Sequence, residues 1–212
     1  ALLPLLPHGE GLNFPVLTPN VRALDDIANS GSLPYIKEVF VFEAASEGFS
    51  KANTNCSIAE SLDRMAATVE KALAMGLRVR GSVSCIVGSP FERGITDKVL
   101  VRDMAKKMME AGCYSVALGD TIGIGNPGSI RDVVEEVSKA VAYEDLAVST
   151  WIWCTLPVAA DLLGPYPRFI VTTRTAVASR TSWLPSRCAL SPILYERTQD
   201  VLMRWCRREF AS

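Results

Sequence analysis

The residue with most claim to chemistry is Asp120. It follows the apolar run Ser115-Val-Ala-Leu118 and opens a glycine-rich turn, Gly119-Asp-Thr-Ile-Gly-Ile-Gly-Asn-Pro-Gly128. A carboxylate at the end of a strand can orient a substrate hydroxyl or a metal-bound water. It can equally cap the turn that it begins. Both readings stay open at this point. The same turn holds Gly123-Ile-Gly125-Asn-Pro-Gly128, a literal G-x-G-x-x-G. Such a run can cradle a pyrophosphate when it follows a strand at once. Here Asp120-Thr-Ile intervenes, so a loop that starts a helix near Pro127 or Ser129 is the better account.

Other polar residues fall at strand ends. Arg80, Ser82 and Ser84 alternate along one strand and share a face. An arginine there needs either an ionic partner or a place at the mouth of the sheet. Thr18-Pro19-Asn20 and Ala44-Ala45-Ser46-Glu47 close two further strands. Asn53, Asn55 and Cys56 read as turn and cap chemistry. Cys85 and Cys113 read as core thiols. There is one histidine, His8, so no multi-histidine metal site can be built from this chain. The six cysteines contain no C-x-x-C pair, which excludes zinc-ribbon and thioredoxin-type motifs and fits free thiols.

Short strands are expected at 13–17, 37–42, 78–84 and 114–118, with a fifth beginning at Leu146-Ala-Val148. Helical stripes lie between them. One covers 21–30. A second begins at the capping box Ser57-Ile-Ala-Glu60 and runs through Ile58, Leu62, Met65, Val69 and Leu73 to Gly76. A third opens at Thr96 and closes at Gly112. A fourth carries Ile130, Val133, Val134, Val137 and Val141. Alternation of this kind predicts α/β architecture with a parallel sheet. A (β/α) barrel and a doubly wound sheet both satisfy it, and both bind ligands at the carboxyl ends of their strands.

The chain of 212 residues suits one domain, and its net charge of −1 argues against nucleic-acid binding or adsorption to acidic membranes. No apolar run reaches the roughly 18 residues of a membrane helix. The apolar start, Ala1-Leu-Leu-Pro-Leu-Leu-Pro7, holds two prolines and no basic region, so it does not read as a signal peptide. A compositional seam falls at Val148. Residues 1–148 hold all seven lysines and a net charge of −5; residues 149–212 hold no lysine, eight arginines and a net charge of +4. All four tryptophans lie beyond the seam.

Five segments, taken together, resemble the 3-hydroxy-3-methylglutaryl-CoA lyases. They are Asn13-Phe-Pro-Val-Leu-Thr-Pro-Asn20, Glu43-Ala-Ala-Ser-Glu47, Asn55-Cys-Ser-Ile58, Arg80-Gly-Ser-Val-Ser-Cys85 and Leu118-Gly-Asp-Thr-Ile-Gly123. The resemblance runs over about 11–148. It implies an incomplete TIM barrel, strands three to six with the start of strand seven, followed by an irregular tail at 149–212. It also implies cleavage of 3-hydroxy-3-methylglutaryl-CoA to acetyl-CoA and acetoacetate, in leucine breakdown and ketone-body formation. A divalent cation, Mg²⁺ or Mn²⁺, serves as Lewis acid in that reaction. The implied partner is a CoA thioester, the implied assembly a homodimer and the implied location the mitochondrial matrix, although no targeting peptide is visible. Asp120 carries over as the catalytic position. Asn20, Ser46, Arg80 and Ser84 carry over as substrate-binding positions.

The departures concern the metal. The family's first strand with its Arg-Asp pair, and the second with its Glu, are absent. Strand seven should read Leu-Ala-Val-His-x-His, whereas this chain reads Leu146-Ala-Val-Ser-Thr-Trp151. The later glycine-rich loop with a reactive cysteine and the metal-binding asparagine are also absent, so no metal ligand carries over. Ser82 stands where the family commonly has tyrosine. Residues 169–188 lack helical or strand logic. Codons allowed for them, shifted by two bases, can read His-Cys-His-Asp-Thr-Tyr-Gly and then a helix-like Leu-Ala-Asn-Ile-Leu-Ala-Ser-Leu-Gln-Met. On this reading 149–168 is translated non-coding sequence and the remainder is exon out of frame. The expected outcome is a lyase-derived chain without turnover. Its rivals are a non-catalytic partial-barrel isoform, a related Claisen-type acyltransferase and, last, a dinucleotide-binding module.

Overall fold

The structure is a computed structural model. It describes residues 14–150 and the backbone of 170–171. His8, Cys154, Cys188, Cys206, the four tryptophans and nearly all of the expected tail lie outside the described residues.

The strands β1 (Val16–Leu17), β2 (Glu38–Ala44), β3 (Arg78–Ser84), β4 (Ser115–Gly119), β5 (Leu146–Thr150) and β6 (Ile170–Val171) form one parallel sheet in the order 1-2-3-4-5-6. The two architectures left open by the sequence separate here. A doubly wound sheet reverses its strand order at a switch point; this sheet advances one strand at a time, as a (β/α) barrel does. One difference from the sequence reading lies in the tail, where Ile170–Val171 pairs with Ser149 and Thr150 of β5. Two adjacent β-branched residues favour the extended, pleated backbone of a strand.

The connections are α1 (Val21–Asn29), α2 (Glu47–Thr54), α3 (Ile58–Ala74), α4 (Lys98–Ala111) and α5 (Pro127–Val137). Each starts on a side-chain cap: Asn20, Ser46, Ser57, Asp97 and Asn126 accept from the first turn. The Ser57–Glu60 capping box is present as expected. Thr96 does not open α4; Asp97 does, and the Thr96 hydroxyl donates to the Cys85 carbonyl at 2.6 Å. Of the residues expected as turn and cap chemistry, Asn53 lies inside the helix α2. Asn55 ends it with φ 54°, a left-handed conformation that asparagine tolerates.

The alternation of each strand sorts its side chains. Val39, Val41, Val79, Val83, Val116, Leu118 and Val148 are buried with Leu62, Met65, Val69, Met104, Met108, Ile130 and Val134 of the helices. Gly81 is needed where β3 meets α4, because a Cβ there would sit 2.8 Å from the Met108 sulfur. On the opposite face Phe40, Phe42, Arg80, Ser84, Ala117 and Ser149 are only half-buried. The core therefore lies between sheet and helices, and the polar residues singled out above lie on the other face or at its rim.

Candidate functional site at the carboxyl ends of the strands

Parallel strands place all their carboxyl ends on one rim. Main-chain bonds continue past the strands and fix the rim residues beside one another. Thr18 donates to Phe40, Ala45 to Ser84, Ile86 to Gly119 and Asp120 to Ser149. The rim thus runs Thr18, Ser46, Ser84–Cys85, Asp120 and Ser149.

Asp120 is buried, with 2% of its surface exposed. Its Oδ2 accepts the Gly125 amide at 2.9 Å, and its carbonyl accepts the Gly123 amide at 3.3 Å. The carboxylate therefore caps its own loop while standing at the strand end. The amide that a G-x-G-x-x-G motif would offer to a phosphate is already taken by an anion of the chain. Thr121, which sequence reasoning passed over, accepts the Cys85 amide at 2.8 Å and ties this loop to the end of β3.

Ser84 is half-buried at the end of β3, in register with Ala44 and Gly119, and so adjoins the Asp120 loop. Ser46 is buried, caps α2 through the Phe49 amide at 3.0 Å, and shares a 2.7 Å hydrogen bond with Ser89. Asn20 is exposed, and its side-chain oxygen accepts the Ala23 amide at 3.0 Å. Arg80 stands apart from the rim. It sits in the first half of β3, 3.7 Å from the buried Glu38 carboxylate, with its guanidinium 5.1 Å over the Phe40 ring. Of the two roles open to it in the sequence, the structure shows an ionic partner, Glu38. Four candidates thus gather at one rim and the fifth lies deeper in the sheet.

Cys85 completes the floor. It is fully buried, adopts φ 61°, and burial pushes its thiol up to about 11. While it stays buried, a thiol so shifted is held protonated near neutral pH. Among the described residues no three His, Cys, Asp or Glu side chains stand close enough to hold a metal ion. A hollow of about 260 Å³ opens beside Ser46, lined by Glu47, Ile58, Ser89, Thr96 and Leu100 among others. Ser89 and Glu92, in the loop after β3, were not among the expected site residues. The signal available for them was the length of that loop.

A parallel sheet wound one strand at a time, with its polar groups collected at the carboxyl rim, defines an α/β scaffold of the TIM-barrel type. The chain belongs to the HMGL-like family, whose model matches residues 15–156. It is 45% identical over 138 residues to the mitochondrial hydroxymethylglutaryl-CoA lyase of Bos taurus, covering 65% of this chain and 41% of that protein. It is 44% identical over 138 residues to the cytoplasmic 3-hydroxy-3-methylglutaryl-CoA lyase of Mus musculus, covering 65% of this chain and 39% of that one. The chain thus spans less than half the length of these relatives. Among solved structures, hydroxymethylglutaryl-CoA lyase from Pseudomonas aeruginosa superposes with a TM-score of 0.71 at 36% identity, covering 81% of this chain and 56% of that one.

Proposed function

We propose that this chain carries part of the mouth of a hydroxymethylglutaryl-CoA lyase and does not turn over substrate by itself. The reaction in question is retro-Claisen cleavage of 3-hydroxy-3-methylglutaryl-CoA to acetyl-CoA and acetoacetate. In this reading 11–148 is the lyase-derived domain, corresponding to strands three to six and the start of strand seven, and 149–212 is an aberrant tail. The named relatives point to the mitochondrion, with the cytoplasm as the alternative that the mouse protein offers.

One observation carries the proposal of inactivity. Where the family needs His-x-His for its divalent cation, β5 ends on Ser149-Thr150 and the chain continues with Trp151. Neutral hydroxyls and an indole are poor donors for Mg²⁺ or Mn²⁺, which the carboxylate and imidazole groups of such sites hold. The carboxylate nearest by register, Asp120, already accepts Gly125. The donor set does not fit the cation, and no step is routed through it. What remains to the chain is positioning: Ser84, Ser46 and Asp120 form a polar wall against which a thioester acyl group can rest.

The test is an acetoacetate assay on the purified chain with 3-hydroxy-3-methylglutaryl-CoA and excess Mn²⁺. No turnover is expected, with or without metal. Metal-dependent production of acetoacetate and acetyl-CoA would overturn the reading. Sequencing the transcript across codons 145–190 supplies the complementary result. A spliced frame reading Leu-Ala-Val-His-x-His assigns lyase activity to the native product. A message that keeps Ser149-Thr-Trp151 leaves the non-catalytic isoform.

A further inference from the structure

The connection from β3 to α4 covers residues 85–97 and has no helix or strand of its own. Ordered loops of this length are uncommon and tend to be functional. Its base is clamped. The Thr96 hydroxyl donates to the Cys85 carbonyl at 2.6 Å, and the Thr96 amide donates to the Val87 carbonyl at 2.9 Å. Between these clamps the chain makes an excursion whose side chains include the exposed Phe91, Arg93 and Ile95, the last 84% exposed.

The loop packs at Gly88 against the turn after β4, where a Cβ would lie 2.6 Å from Ile124 Cδ1, and its tip meets the start of α2. Glu92 Oε1 accepts the Gly48 amide at 2.6 Å. Ser89 and Ser46 share their hydroxyl hydrogen bond at 2.7 Å. Phe91 meets Phe49 edge to face, with centroids 5.9 Å apart. A Cβ at position 48 would lie 2.6 Å from the Phe91 Cβ, so the residue beneath the tip is fitted to it. Of the three contacts only the Glu92 bond is charge-assisted, and it lies at the helix end whose dipole favours an anion.

We infer that residues 88–95 are a hinged strap across the rim, that Glu92 is the positioning residue that pins it to α2, and that its release exposes the floor at Cys85. The clamps through Thr96 close the base of the loop and act as its hinge. The hollow beside Ser46 lies between strap and α2, so strap position sets access to that side of the rim. This rests on contacts alone and does not depend on lyase activity.

The full chain supplies its own reporters. Arg93 lies in the strap and offers trypsin a site; Cys85 is the fully buried first residue of the loop; Cys113, buried between α4 and β4, reports general unfolding. In Glu92→Ala, cleavage after Arg93 and alkylation of Cys85 by iodoacetamide should both rise roughly tenfold, as loss of one charge-assisted bond shifts a local opening. Alkylation of Cys113 should stay at the rate of the unchanged chain. Glu92→Gln keeps an oxygen that can accept the Gly48 amide and should open less. Unchanged rates at Arg93 and Cys85 in Glu92→Ala would overturn the strap. So would a parallel rise at Cys113, which would make Glu92 a support of the whole fold.

Discussion

The carboxylate of Asp120 and the amide of Gly125 are joined by a 2.9 Å hydrogen bond, so the residue best placed for chemistry is also the one that closes its own loop. Gly125 is part of the fit. A Cβ at that position would sit 2.7 Å from Asp120 Oδ2 and 2.8 Å from Ile130 Cδ1. Glycine is required there by close approach between the loop and the first turn of α5.

Gly125→Ala should therefore destabilise the chain by about 1–3 kcal/mol, the usual cost of overpacking a fitted site. Asp120→Ala should cost a similar amount by leaving the amide without its acceptor, whereas Asp120→Asn retains an oxygen and should cost less. Urea denaturation of the three variants checks this order. If Asp120→Ala matches the unchanged chain, the loop does not depend on the bond.

The same bond bears on dinucleotides. Pyrophosphate at a glycine-rich turn needs free amides and a positive field. Here the turn presents a buried carboxylate. Titration with NAD⁺ up to millimolar concentration should leave intrinsic fluorescence and thermal stability unchanged. A saturable shift would return the dinucleotide reading to consideration.

Glu43 offers a prediction in pH. It lies on the helix side of β2 with 6% exposure, and its carboxylate accepts from the Ser61 hydroxyl of α3. Burial pushes the carboxyl up to about 7, against the opposing effect of the Ser61 bond. An acid raised in the folded state holds its proton more tightly there than in the unfolded chain. Its contribution is therefore fully present only below the ordinary carboxylate value of 4.5 and is lost as pH rises from there through 7, to the extent of about 3 kcal/mol. Glu43→Gln removes this dependence. The variant should gain on the unchanged chain between pH 5 and pH 8.5 in urea denaturation. An equal difference at both values would show that the carboxyl titrates normally.

How far the sequence disclosed this site depends on the range of the interactions. β3 was legible to the residue, because Val79 and Val83 alternate with Arg80, Ser82 and Ser84. The start of α3 was legible because its capping box is local. α2 was not legible. Glu-Gly-Phe-Ser-Lys-Ala-Asn-Thr has no apolar stripe, and its helix relies on the Ser46 cap, the left-handed Asn55 and the Glu92 contact from across the rim. The choice between two roles for Arg80 was equally closed to sequence, because Glu38 becomes its neighbour only through the pairing of β2 with β3.

That pairing gives the last prediction. Glu38 is 3% exposed and lies 3.7 Å from the Arg80 guanidinium, while Arg80 itself is about a quarter exposed. Arg80→Ala should cost roughly 1.5–3 kcal/mol, since it removes the cation from a buried carboxylate and some cover from Phe40. Arg80→Met with Glu38→Gln replaces both charges with groups of similar shape and should recover much of that loss. A double-mutant cycle by urea denaturation measures the coupling directly. Additive losses in the cycle would mean that the two side chains are neighbours without an energetic bond. Arg80 would then be free to serve the rim, and its assignment as part of the sheet's internal ion pair would fall.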